Sequence, residues 1–103
     1  MFEDITTVAN SGSEVLRVCF EPWADVVELA PGHTLRIVAR SSYAGRLEVD
    51  HGDHSVCVYA WPGATAKAYD GSNLIMAFEL AVPELPQGMP MKSFVSFMGG
   101  PTA

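Results

Sequence analysis

About every ten residues, this chain repeats a short apolar or alternating run followed by a cluster of turn-forming residues. The runs centre near Val8, Val18, Val27, Ile37, Leu47, Val58, Lys67 and Ala77. Between them lie Ser11-Gly12-Ser13, Glu21-Pro22-Trp23, Pro31-Gly32, Ser41-Ser42, His51-Gly52-Asp53, Pro62-Gly63 and Asp70-Gly71. Short strands at even spacing with turn signals between them pack as a sandwich or close as a barrel. The expected fold is all-β: a single-domain β-sandwich of about eight or nine short strands, jelly-roll-like in preference to immunoglobulin-like.

Period-two alternation assigns faces to the runs. Leu35, Ile37 and Ala39 share one face, with Thr34, Arg36 and Val38 opposite. Leu16, Val18 and Phe20 fall together, leaving Arg17 and Cys19 on the other side. Leu74, Met76, Phe78 and Leu80 align, and Ala64, Ala66 and Ala68 make a small-residue inner face opposite Thr65, Lys67 and Tyr69. One run breaks the rule. Ser55-Val56-Cys57-Val58-Tyr59-Ala60-Trp61 is apolar on both faces, as expected of a covered central strand or of a strand meeting another subunit.

Composition shifts at residue 82. Residues 1–81 read as the sandwich core, and 82–103 as a Pro/Gly/Met-rich arm docked on the same or a neighbouring subunit. The arm holds four prolines, yet Phe94, Val95, Phe97 and Met98 are apolar, which a solvated tail would rarely carry. Ser93 to Met98 is expected as a ninth strand or a docked arm.

With 103 residues the chain fits one domain with a core of its own. A hydrophobic fraction of 49% and a charged fraction of 17% exclude global disorder. The formal net charge of −6, with no basic cluster to offset it, argues against nucleic acid and anionic membranes as partners. Val56 to Trp61 is the longest wholly apolar stretch, far too short to span a bilayer. The first residues carry neither a basic region nor an apolar core, so a cytoplasmic protein is expected. Cys19 and Cys57, both inside expected strands, read as buried thiols.

Chemistry concentrates in Asp50-His51-Gly52-Asp53-His54. Two imidazoles and two carboxylates in five residues can ligate a divalent transition metal, and His33 is the remaining histidine. The same residues also suit a tight hairpin turn, where adjacent side chains diverge. Glu21, Asp25 and Glu28 form an acidic group that a solvated face explains. Nucleophile elbows and phosphate-binding glycine loops are absent, so no catalytic or cofactor-binding residue is assigned. Trp23, Trp61 and Tyr43 sit at strand ends, where rings either cap a small core or form a stacking platform.

Two likenesses bear on this reading. A jelly roll invites comparison with the cupins, whose metal site resembles a His-x-His pair followed by Glu and then a later His. Here His51 and His54 are spaced His-x-x-His, no Glu follows closely, and no histidine follows His54. That comparison lends a shape and no activity. Glu21-Pro22-Trp23, Pro31 to Ala39, Val58 to Gly63 and Tyr69-Asp70-Gly71 together resemble small bacterial all-β proteins. The likeness covers roughly residues 15 to 71 and implies a bacterial domain with no established activity to carry over.

The expected function is a non-enzymatic binding or interaction module, homo-oligomeric, with no cofactor, acting through Trp61, Tyr59, Phe94 and Phe97. One alternative is a cupin-like metal-binding protein or small metal-dependent enzyme using His51, His54, Asp53 or Asp50, and His33. Another is a carbohydrate or small-ligand binder using Trp23 and Trp61.

Overall fold

Leu35, Ile37 and Ala39 are fully buried while Thr34, Arg36 and Arg40 on the same strand are exposed, the alternation of a half-buried sheet. The computed structural model describes residues 1–83, and within them every expected run becomes a strand or touches one. The strands are β1 (Phe2–Ala9), β2 (Leu16–Glu21), β3 (Asp25–Leu29), β4 (Thr34–Ser41), β5 (Glu48–Gly52), β6 (Ser55–Tyr59), β7 (Thr65–Asp70) and β8 (Asn73–Phe78). Leu47, the centre of the fifth run, lies one residue before β5. Among the described residues there is no helix, hence none long and apolar enough to cross a membrane.

The strands form two four-stranded sheets, ordered β1-β4-β7-β8 and β3-β2-β6-β5. All neighbours run antiparallel except β2 and β6, which are parallel. The second sheet is therefore two hairpins joined along one parallel seam. The inner faces meet in one core holding Val18 and Phe20 from β2, Val56 and Val58 from β6, Leu35 and Ile37 from β4, and Phe78 from β8. Ala66 and Ala68 on β7 are buried as expected, and their small size leaves room for the aromatic side chains. Phe78 bridges the layers, its ring centroid 4.9 Å from Phe20 and 4.6 Å from the stacked Trp23.

One face assignment needs correcting. Leu74 and Leu80 do not join Met76 and Phe78 inside: they are 53% and 80% exposed. On β8 the register slips, because Ala68 faces Met76 while Tyr69 faces Leu74. That bulge moves Leu74 to the solvent side, and Leu80 lies beyond the strand. β6 is buried on both faces as expected, with Val56 and Val58 toward the core and Cys57 and Tyr59 on the other side. Val82 remains part of the packed unit: its N–H donates to Ala64 O and its carbonyl accepts from Gly63 N. Phe94, Phe97 and the expected ninth strand or docked arm lie outside the described residues.

Candidate functional site

The residues singled out for chemistry gather at one end of the sandwich, and Asn10 organises that end. Asparagine followed by Ser and Gly favours a side-chain-closed turn. Here Asn10 Oδ1 accepts from Gly12 N at 3.1 Å, closing the turn after β1. Its Nδ2 group donates to Glu14 O and to Leu29 O, each at 2.8 Å. Its backbone pairs with the β3–β4 turn, donating to His33 O and accepting from Gly32 N. One buried residue thus fixes the 10–15 loop against the end of β3 and the β3–β4 turn.

Opposite that loop, β5 and β6 pair up to Gly52 and Ser55, leaving Asp53 and His54 as a two-residue turn. His54 adopts φ +57°, the left-handed conformation such turns use. Its carbonyl accepts from Arg17 N, anchoring the turn to β2. Between the turn and the 10–15 loop lies an open cleft of about 450 Å³, lined by His51 and His54 together with Ser11, Ser13 and Glu14. His54 Nδ1 lies 3.4 Å from Glu14 Oε2, a pair exposed enough to contribute little to stability.

His33 is held elsewhere. Its Nδ1 lies 2.7 Å from Asp70 Oδ2, beside a smaller hollow of about 240 Å³ that includes Leu29 and Ile75. Asp53 is exposed in the turn, and Asp50 is the cross-strand partner of Cys57 on β6. Of the expected metal set, the structure brings His51 and His54 to one cleft and leaves His33 with Asp70. Among the described residues, no group of three or more His, Cys, Asp or Glu side chains is placed to hold a metal ion.

The aromatic candidates divide: Trp61 is buried, Trp23 half-buried and Tyr43 55% exposed. The Trp61 indole N–H donates to Tyr43 O at 2.8 Å. The backbone at Gly45 lies so close to the indole that a Cβ there would collide with it. Trp23 stacks on Phe78 and donates to Leu80 O at 2.7 Å. Burial closes the Trp61 ring to a sugar, and Trp23 gives one face to Phe78. Tyr59, expected at an interface, is buried as well.

A surface that the strand spacing did not reveal covers the outside of the β1-β4-β7-β8 sheet. Cross-strand register sets Ile5, Val38, Lys67 and Ala77 in one row across all four strands. Thr7, Arg36, Tyr69 and Leu74 make the next row, with the Arg36 guanidinium 4.7 Å above the Tyr69 ring. Arg40 Nε lies 2.6 Å from Glu3 Oε2 in the third. Ile5 is 49% exposed and Leu74, beside the bulge, 53%. Alternation alone sets Arg36, Val38, Lys67 and Tyr69 on outward faces, and the bulge adds Leu74, which alternation does not announce.

The opposite sheet carries a titratable group of its own. Burial, then the Asp25 charge, pushes the Glu21 carboxyl above its ordinary value. Burial and the adjoining Cys19 thiol push the Cys57 thiol up to about 11, and burial and Cys57 push Tyr59 up to about 12. A pKa raised by folding means stability that is complete below the unfolded value and lost as pH rises through the folded one. Cys57 and Tyr59 are therefore expected to withdraw stability across about pH 9 to 12, and Glu21 in the acid range above its ordinary value. Denaturation midpoints measured from pH 4 to 12 should fall in two steps, and Glu21→Gln should flatten the lower one. A Glu21→Gln profile that superimposes on the parent's would contradict the assignment. No family model, curated protein or solved structure matches this chain.

Proposed function

We propose that the chain is a non-enzymatic interaction module that self-associates through the outer face of the β1-β4-β7-β8 sheet. The observation carrying this reading is the row of Ile5, Val38, Lys67 and Ala77 across the sheet, flanked by Tyr69 and Leu74. Ile5, Val38, Leu74 and Tyr69 are apolar groups interspersed with Lys67 and Arg36, a mixture of apolar and cationic side chains that suits a contact site. The face also holds Arg36, Arg40 and Lys67, half of the six basic residues in a chain whose net charge is −6. The face carries these three basic residues against Glu3, which pairs with Arg40, and so suits the acidic remainder of a second copy in a head-to-tail contact, which supports self-association over an unrelated partner.

Light scattering should give a mass above that of one chain at about 50 mM salt, falling toward one chain at about 500 mM as the charges are screened. Ile5→Glu with Leu74→Glu should yield the single chain at either salt, with an unchanged melting profile. A parent that stays single at low salt and high concentration would overturn the proposal.

Eight strands in two sheets support the jelly-roll-like reading by number, although the parallel β2–β6 pair departs from an all-antiparallel double Greek key. The metal-binding alternative draws support only from His51 and His54 sharing the cleft, since His33 is engaged by Asp70.

A further inference from the structure

The β3-β2-β6-β5 sheet depends on one seam. Its two hairpins meet only where β2 and β6 run parallel, through five residue pairs from Arg17↔Ser55 to Glu21↔Tyr59. The middle pair is Cys19↔Cys57. Partners in register on adjacent strands point to the same face and sit about 4.8 Å apart at Cα. That spacing lies within the range of about 4.4–6.8 Å that a disulfide spans. The neighbouring Cys19 thiol, after burial, helps push the Cys57 thiol above its ordinary value. Phe20 meets Phe78 of the other sheet, so alternation turns Val18, Phe20, Val56 and Val58 toward that sheet and both cysteines, though buried, to the opposite face.

We propose that Cys19 and Cys57 are a redox pair whose intramolecular disulfide locks the β2–β6 seam. The step is an exchange with a low-molecular-weight disulfide such as oxidised glutathione. One cysteine thiolate attacks a reagent sulfur, forming a mixed disulfide and releasing one reagent thiol. The second cysteine then attacks the sulfur of the first, releasing the other. Two cysteine thiols are oxidised and one reagent disulfide is reduced to two thiols, so electrons and protons balance.

The surroundings set the rate. Glu21, Tyr59 and Asp50 lie next to the pair from β2, β6 and β5, and the thiols are only 6% and 7% exposed. Acidic neighbours and burial disfavour the attacking thiolate, so the reduced pair exchanges slowly at neutral pH and faster when the seam opens. The simple alternative is that both are small apolar fillers. A filler pair and a redox pair differ in one measurable respect: only the latter has folding and disulfide formation favouring each other.

The test equilibrates the full chain with reduced and oxidised glutathione, starting from both the reduced and the oxidised protein. It is run in buffer and in urea, with free thiols then alkylated and intact mass read. The expected species is about 2 Da lighter than the reduced chain and resistant to alkylation. The effective concentration of one thiol for the other should be roughly 100-fold higher folded than in urea. The oxidised protein should melt about 10 °C higher or more. Cys19→Ser and Cys57→Ser should each abolish the mass loss. An effective concentration no higher than in urea, glutathione on both cysteines, or disulfides only between chains would overturn the proposal. The comparison of folded with unfolded parent stands even if a serine variant fails to fold.

Discussion

Phe78→Ala is expected to lower the free energy of unfolding by about 3–5 kcal/mol, the range for removing a large aromatic from a packed core. The effect should fall at the top of that range because the ring has two aromatic partners from the opposite half of the molecule. Phe20 lies at 4.9 Å and Trp23 is stacked at 4.6 Å, so truncation opens a cavity between the sheets. It should also expose the Trp23 ring face and shift its fluorescence to the red before unfolding begins. Ile75→Ala on the same strand provides the contrast. Its side chain is 45% exposed at the bulge, and its loss should cost far less, about 1 kcal/mol. Equal losses at both positions would mean that β8 does not close the core as described.

Phe78 was legible in the sequence and Leu74 was not, for a physical reason. Alternation is local: Phe78 and Met76 follow from a two-residue period on one strand. A bulge is a property of two strands, since it depends on where β7 holds Ala68 and Tyr69 against β8. The same limit explains the second sheet. That Val18 and Val58 belong to strands is readable from their neighbours. That those strands run parallel, with Cys19 beside Cys57, depends on contacts far apart in the chain. The candidate site divides likewise. The Asp53-His54 turn is written in its composition, and the structure places it between β5 and β6. His33 reads as a potential ligand only until its pairing with Asp70, on a distant turn, is known. Tyr59 and Trp61 looked available for contact because ring-rich runs can face either way. Here the 41–47 segment closes over Trp61. Asn10 was the least visible of all. Asn-Ser-Gly reads as an ordinary turn, and nothing local says that its amide reaches Leu29.

That amide supports the second large prediction. Asn10→Asp keeps the size and the acceptor for Gly12 N but replaces a two-proton donor with an acceptor. The group it faces is a pair of backbone carbonyls, Glu14 O and Leu29 O, each 2.8 Å from Nδ2. Two hydrogen bonds are lost and a carboxylate is held against carbonyl oxygens in a buried site, a cost of at least about 3 kcal/mol at neutral pH. Asn10→Ala removes the same bonds without adding the charge, so its cost should be lower, about 2 kcal/mol. Acid separates the two cases. Once protonated, the introduced carboxyl regains one donor, so the aspartate variant should recover part of its stability between about pH 7 and pH 4, while the alanine variant should not. Amide exchange at Gly12 and Gly32, whose N–H groups bond to Asn10, should quicken in both variants before global unfolding. If the aspartate variant matches the parent at pH 7, Asn10 does not hold the 10–15 loop. The cleft facing His51 and His54 would then lack a fixed wall, and any ligand found there would have to order the loop itself.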